Sequence, residues 1–235
     1  MDRAIYLSMK DGSVRGYRYL RSARQLSLQE QKKLVKRYKI DDQARRLSEA
    51  KTFPDVAKCF FQQARVAMLR DGYHTSLCLF LRGNSLITLI DITHPDRASR
   101  YVIMRDLAKL SRIAGADGVI LISEVWTASQ EDIPKSGFAV DAPNRREGLV
   151  LDAMNAKGER TSLSAKVERR KFGKKVKSLS ETVDEAKDDI PFLLYPFMKE
   201  WGCIEQNFIE RGLSMMEKMG IEAPAIPAEL PPERT

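Results

Sequence analysis

Changes in the spacing of apolar positions divide this chain into elements. Residues 4–9 and 14–20 flank Asp11-Gly12, a dipeptide suited to a type I′ turn, and predict a small β-hairpin. Ser27 stands three residues before Glu30, a capping-box spacing that opens a helix running to about Ala50. Its apolar stripe (Leu28, Leu34, Val35, Tyr38, Ala44, Leu47) is thin, so one face leans on a core and the other is solvated. The next segment is far more regular. Phe53, Val56, Ala57, Phe60, Phe61, Ala64, Ala67 and Met68 recur every three or four residues behind a Thr52–Asp55 box, and predict a core helix ending at Asp71-Gly72. Residues 73–82 and 84–93 read as a hairpin about Gly83-Asn84, and 97–114 as a helix stopped by Gly115.

Residues 117–128, DGVILISEVWTA, break the alternation altogether. Val119 to Ile122 leave no polar face, which predicts a strand buried on both sides that ends in Glu124 and Trp126. A polar loop with Pro134, Gly137 and Pro143 follows over 129–144; so long a loop in a compact domain is often either functional or disordered. Residues 147–155 and 160–169 predict another hairpin, with Leu163, Ala165 and Val167 alternating inward. Residues 191–219 predict helix, broken near Pro196 and Gly202, and 223–235 form a Pro-rich end.

The order helix, hairpin, helix, strand, hairpin predicts an α+β fold with a mixed five-stranded core sheet over residues 51–170. A basic hairpin and helix (1–50) precede it, and a helical tail with the Pro-rich end (171–235) follows. A right-handed crossover from strand 84–93 would set strand 117–127 parallel to it. One sheet edge would then gather His74, Asp91 and His94 with Glu124 and Trp126. An antiparallel strand 147–155 would add Arg145, Arg146 and Glu147 to that edge.

Two readings of this edge follow. As an acid–base or metal site, Glu124, Arg145, Arg146 and Glu147 are the candidate catalytic residues. His74, Asp91 and His94 are then the candidate metal ligands, without a His-x-Glu or HExxH spacing to support them. As a structural device, Glu124 pairs with Arg145 or Arg146 and ties the loop to the sheet. No cofactor is identified. The strand ending Ser123-Glu124-Val125-Trp126, its Pro-bearing loop and Pro143-Asn144-Arg145-Arg146-Glu147 resemble a strand–loop–strand pattern of uncharacterised bacterial proteins. That resemblance covers residues 53–169 and implies no activity.

Charge alters the picture more than composition does. Of the 235 residues, 43% are hydrophobic and 31% charged, as in ordinary globular proteins, but the net charge of +8 is unevenly placed. Residues 10–39 hold ten basic side chains against Asp11 and Glu30, and 166–177 hold seven against Glu168. Such segregation points to an anionic partner, nucleic acid or another polyanion, with Lys32, Lys33, Lys36, Arg37, Lys171, Lys174 and Lys175 as the binding residues. Tyr17, Tyr19, Tyr38 and Phe172 lie among them and would stack on bases. The plain alternative is a solvated helix face and a lysine-rich loop.

Cys59, Cys78 and Cys203 have no CxxC spacing and are expected to be buried thiols. No apolar run reaches the ~20 residues of a membrane span and no secretory leader is evident, so a cytoplasmic location without membrane contact is expected. Three functions remain in play. A non-catalytic binding or adaptor protein acting on a polyanion leads. Behind it stand an enzyme, such as a metal-assisted hydrolase, with its site at the Glu124 edge, and an interaction module using the C-terminal helices.

Overall fold

Strand β5 (Gly118–Thr127) is the centre of the molecule. The structure, a computed structural model, describes residues 3–8, 10–20, 26–92, 96–129, 131–134, 137–171, 175–184 and 191–221. Strand side chains alternate between the two faces of a sheet. Ile120 and Ile122 therefore enter one core with helix α3 (Phe53–Asp71), while Val119 and Leu121 enter another with helix α4 (Arg97–Ile113). Two covered faces explain the unbroken apolar run.

Hydrogen bonds join β5 to β3 (Leu77–Arg82) on one side and to β6 (Arg146–Asn155) on the other. Outside β3 lies β4 (Ser85–Asp91). Beyond β6 lies β7 (Arg160–Arg169), which pairs with both β8 (Val176–Leu179) and β9 (Val183–Asp184). The result is a strongly curled, seven-stranded half-barrel in an α+β fold, antiparallel at every pairing among the described residues. This corrects the expectation of a mixed five-stranded sheet. β5 does run in the direction of β4, but β3 lies between them and pairs antiparallel with each. An apolar run records burial on two faces; it carries no information on the direction of the neighbouring strand.

The sheet curls over α3, which touches β5, β6, β7 and β8. Phe61 and Met68 of α3 are fully buried there with Leu79, Leu149 and Leu151. The Thr52–Asp55 capping box starts α3, and Gly72 ends it with φ +81°, a left-handed backbone that glycine adopts without a Cβ clash. On the opposite face α4 packs with α5 (Tyr195–Trp201) and α6 (Gln206–Lys218). Pro196 sits harmlessly in the first turn of α5, so the chain breaks at Gly202 alone. The apolar side of these two helices (Tyr195, Phe197, Met198, Phe208, Met216) is buried in the α4 core.

A second correction concerns the basic segment. The single helix expected to Ala50 is two, α1 (Leu28–Tyr38) and α2 (Ile40–Glu49). Lys39 breaks them with φ +54°, an uncommon backbone for a residue with a side chain. The hairpin β1 (Arg3–Ser8) and β2 (Val14–Leu20) forms a separate two-stranded sheet beside α4. At the far edge of the main sheet the β3–β4 register slips between Phe80 and Leu81, so that Ile87 bulges out unpaired between Leu86 and Thr88. Of the cysteines, Cys78 is buried and Cys59 half-buried, but Cys203 is exposed, against expectation.

Candidate functional site at one rim of the sheet

Because neighbouring strands run antiparallel, one rim collects the ends of β4, β5 and β7 and the starts of β3, β6 and β8. The C-terminus of α3 arrives at the same rim. Arg169, the last residue of β7, organises it. Its Nε and Nη2 both donate to the Glu147 carboxylate (Nε···Oε2 2.6 Å), and its Nη1 donates to the Gly72 carbonyl at 2.7 Å. Glu124 lies 3.9 Å from the same guanidinium and accepts a hydrogen bond from the His74 backbone N–H. Three strands and the end of a helix are thus held by one planar cation, a geometry suited to a guanidinium and not to an ammonium.

Burial raises the Glu124 carboxyl above its ordinary pKa. The His74 N–H and Arg169 oppose the rise, and the neighbouring Glu147 adds to it. His74 is shifted the other way: burial lowers its pKa, opposed by the hydrogen bond that Nδ1 donates to the Thr75 carbonyl at 2.6 Å. Asp91 is exposed at the end of β4 and favours the charged imidazole. His94 lies outside the described residues. Among the described residues no three His, Cys, Asp or Glu side chains are grouped to hold a metal ion.

The expected Glu124 partners do something else. The Arg145 guanidinium stacks 4.9 Å from the Trp126 ring centroid and donates to the Val140 carbonyl, which fixes the loop before β6. That loop also reaches α4, through Arg97, which packs 3.9 Å over Phe138 and pairs with Asp141. Arg146 is exposed at the start of β6.

Helix α1 is fastened to the same corner. Arg37 and Tyr38 both donate to Asp71, the Tyr38 hydroxyl at 2.7 Å, and Gln63 Nε2 donates to the Tyr38 carbonyl at 2.8 Å. Burial alone would raise the Asp71 carboxyl, but the hydrogen bonds from Tyr38 and Arg37 outweigh it and hold the pKa low. The two basic blocks therefore meet on adjacent residues of α3's end: the first on Asp71 through Arg37, the second on Gly72 through Arg169. Lys32, Lys33 and Lys36 stand exposed on α1, and Lys171 and Lys175 are exposed beyond β7; Lys174 lies outside the described residues. Cations near a helix C-terminus also meet the negative end of its dipole. An apolar groove of about 730 Å³ opens between α1, α2, α3 and the β3–β4 hairpin, with Asp71, Tyr73 and His74 at its rim end.

A family model described as bacteriophage lambda protein ea47 matches residues 2–211. The chain belongs to the ea47 family. In place of the bacterial resemblance over 53–169, the ea47 match takes in both basic blocks, the rim, α5 and the first part of α6, and the family carries no known activity. Protein ea47 of Escherichia phage lambda is 25% identical over 206 residues, which are 85% of this chain and 48% of the lambda protein. The chain thus spans about half the length of that ea47 relative. No solved structure matches. Among the described residues of this ea47-family chain, no helix is long and apolar enough to cross a membrane.

The residue that sequence reasoning missed at the ea47-family rim is Arg169. It falls within the second basic block, yet the period-two series Leu163, Ala165, Val167 continues to it and turns it inward. Conversely, Arg37, which its place among the lysines marks as a ligand-binding cation, pairs with Asp71 and anchors α1.

Proposed function

We propose that the protein is a non-catalytic binding protein for nucleic acid or a similar polyanion, with its contact surface at this rim. The observation that supports the reading is the meeting of the two basic blocks at the end of α3, Arg37 on Asp71 and Arg169 on Gly72, which brings the exposed lysines of segments more than a hundred residues apart to one corner. Lysines and arginines that neutralise phosphates release counterions, so binding is strong at low salt and independent of sequence. No helix-turn-helix, zinc-finger or RNP signature argues for base-specific reading.

The catalytic alternative finds less support. A general base needs a free carboxylate facing a cleft, whereas Glu124 is engaged by the His74 N–H and Arg169. The interaction-module alternative needs apolar surface on the C-terminal helices, and the described residues of 191–221 expose no large apolar side chain.

The test is retention on heparin and anisotropy of labelled DNA across a salt series. Reversing Lys32, Lys33 and Lys36 to Glu should weaken binding and reduce the slope of log Kobs against log salt by about 3, close to one per lost phosphate contact. Arg37 is left intact because it holds α1. Wild-type protein that flows through heparin at low salt, or a triple variant that binds as tightly as wild type, would overturn the proposal.

A further inference from the structure

Of the aromatic residues named with the basic blocks, Tyr38 commits its hydroxyl to Asp71, Phe172 lies outside the described residues, and the side chains of Tyr17 and Tyr19 are not described. Two other rings stand in the open at the rim. Trp126 is 45% exposed and Tyr73 60% exposed. Trp126 lies two residues past Glu124 on the same face of β5, and Tyr73 immediately precedes His74, whose N–H holds Glu124. At about 3.3 Å per strand residue the two backbones are no more than roughly 15 Å apart. Arg145 already covers part of the Trp126 ring, as a guanidinium does at a stacking site. Arg146, opposite Thr127 at the start of β6, and Lys171 and Lys175, just past the end of β7, are exposed at the same rim.

Paired bases present only their edges, in the grooves of a duplex. An exposed ring on a sheet rim finds a flat partner only where bases are unpaired, and cations beside it then follow the phosphates. Resting on the polyanion reading above, we infer that the ligand is single-stranded nucleic acid. Its bases stack on Trp126 and Tyr73, and its phosphates lie along Arg146, Lys171 and Lys175. The nearby carboxylates are already engaged, Glu147 by Arg169 and Glu124 by the His74 N–H and Arg169.

Fluorescence of the intact chain provides the test. It has two tryptophans, and the other, Trp201, is tied to the Ala116 carbonyl at 3.1 Å on the opposite face. An oligo(dT) of about sixteen nucleotides should quench Trp126 and bind at least about tenfold more tightly than a duplex of equal length. Trp126→Ala and Tyr73→Ala should each weaken oligo(dT) binding about 5- to 150-fold, the range for one stacked base. Heparin retention should be unchanged in both, and Trp126→Phe should restore most of the affinity. Equal binding of single strand and duplex, with neither ring variant having an effect and heparin retention intact, would overturn this inference and leave the polyanion reading standing. Loss of binding to heparin and both nucleic acids in the wild-type protein would overturn both.

Discussion

Replacing Arg169 with methionine keeps most of the side-chain length and removes the cation that joins β7, β6, β5 and the end of α3. The loss comprises a two-pronged bond to Glu147, one bond to the Gly72 carbonyl and the nearby charge facing Glu124. Hydrogen bonds to charged groups contribute about 1.5–3 kcal/mol each, and breaking a buried ion pair from one side costs about 3–5 kcal/mol. Here the Arg169 side chain is 29% exposed and that of Glu147 14%, so water screens part of the interaction. A net cost of about 2–3 kcal/mol follows, or a fall in Tm of about 4–12 °C at ~2–4 °C per kcal/mol for a chain of this size.

The cost should depend on pH. Without Arg169 the Glu124 carboxyl, already raised by burial, rises further in the folded state. A carboxyl with a raised folded pKa contributes stability that is complete below its unfolded value and lost as pH rises through the folded one. The deficit of the variant should therefore be larger at pH 8 than at pH 5. Thermal melts monitored by circular dichroism at both values read this directly. A double-mutant cycle with Glu147→Gln should show a coupling above about 1 kcal/mol. A variant melting within 2 °C of wild type, or an equal deficit at the two pH values, would refute the account of Arg169 as the rim's organiser.

Three further outcomes follow from the same geometry. Tyr38→Phe removes the hydroxyl bond to Asp71 and should cost about 1 kcal/mol, with faster amide exchange confined to α1 and α2; unchanged exchange there would count against the latch. The His74 pKa is lowered by burial, so wild-type stability should decline as pH falls from about 6.5 through the folded value. His74→Asn, which still offers a donor to Thr75, should flatten that decline in melts between pH 7.5 and 5.5, and an identical slope would exclude His74 as its source. Phe61→Ala, at a fully buried site between α3 and the sheet, should cost about 3–5 kcal/mol in urea unfolding, and a loss below 1.5 kcal/mol would mean that this core is loosely packed.

Much of the outline could be read from local chemistry. The Thr52–Asp55 and Ser27–Glu30 boxes, the turns at Gly83-Asn84 and Asn155–Gly158, and the period of α3 all depend on neighbours within a few residues, and all appear where the sequence places them. The gathering of His74, Asp91, Glu124 and Arg145–Glu147 at one rim was also legible, because it needs only the direction of each strand. Strand order was not: nothing in DGVILISEVW distinguishes β3 from β4 as its neighbour, since either would bury the same faces. Lys39 was equally silent, because a lysine in a left-handed turn is fixed by what α1 and α2 each pack against. The partner of Glu124 was missed for a related reason. Charge complementarity suggested the nearest arginines in sequence, whereas curvature of the sheet brings in one from β7.

The bulge at Ile87 bears on how the sheet ends. An outermost strand that shows Leu86, Ile87 and Leu89 to water, with Asp91 its one charged residue, is ordinarily an invitation for another chain's backbone to zip alongside. The supernumerary residue bends that row of N–H and C=O groups off the straight line such zipping requires. Excising Ile87 alone would straighten the strand and leave an uninterrupted oily ribbon, turning a tolerated border into a seed for fibrous growth.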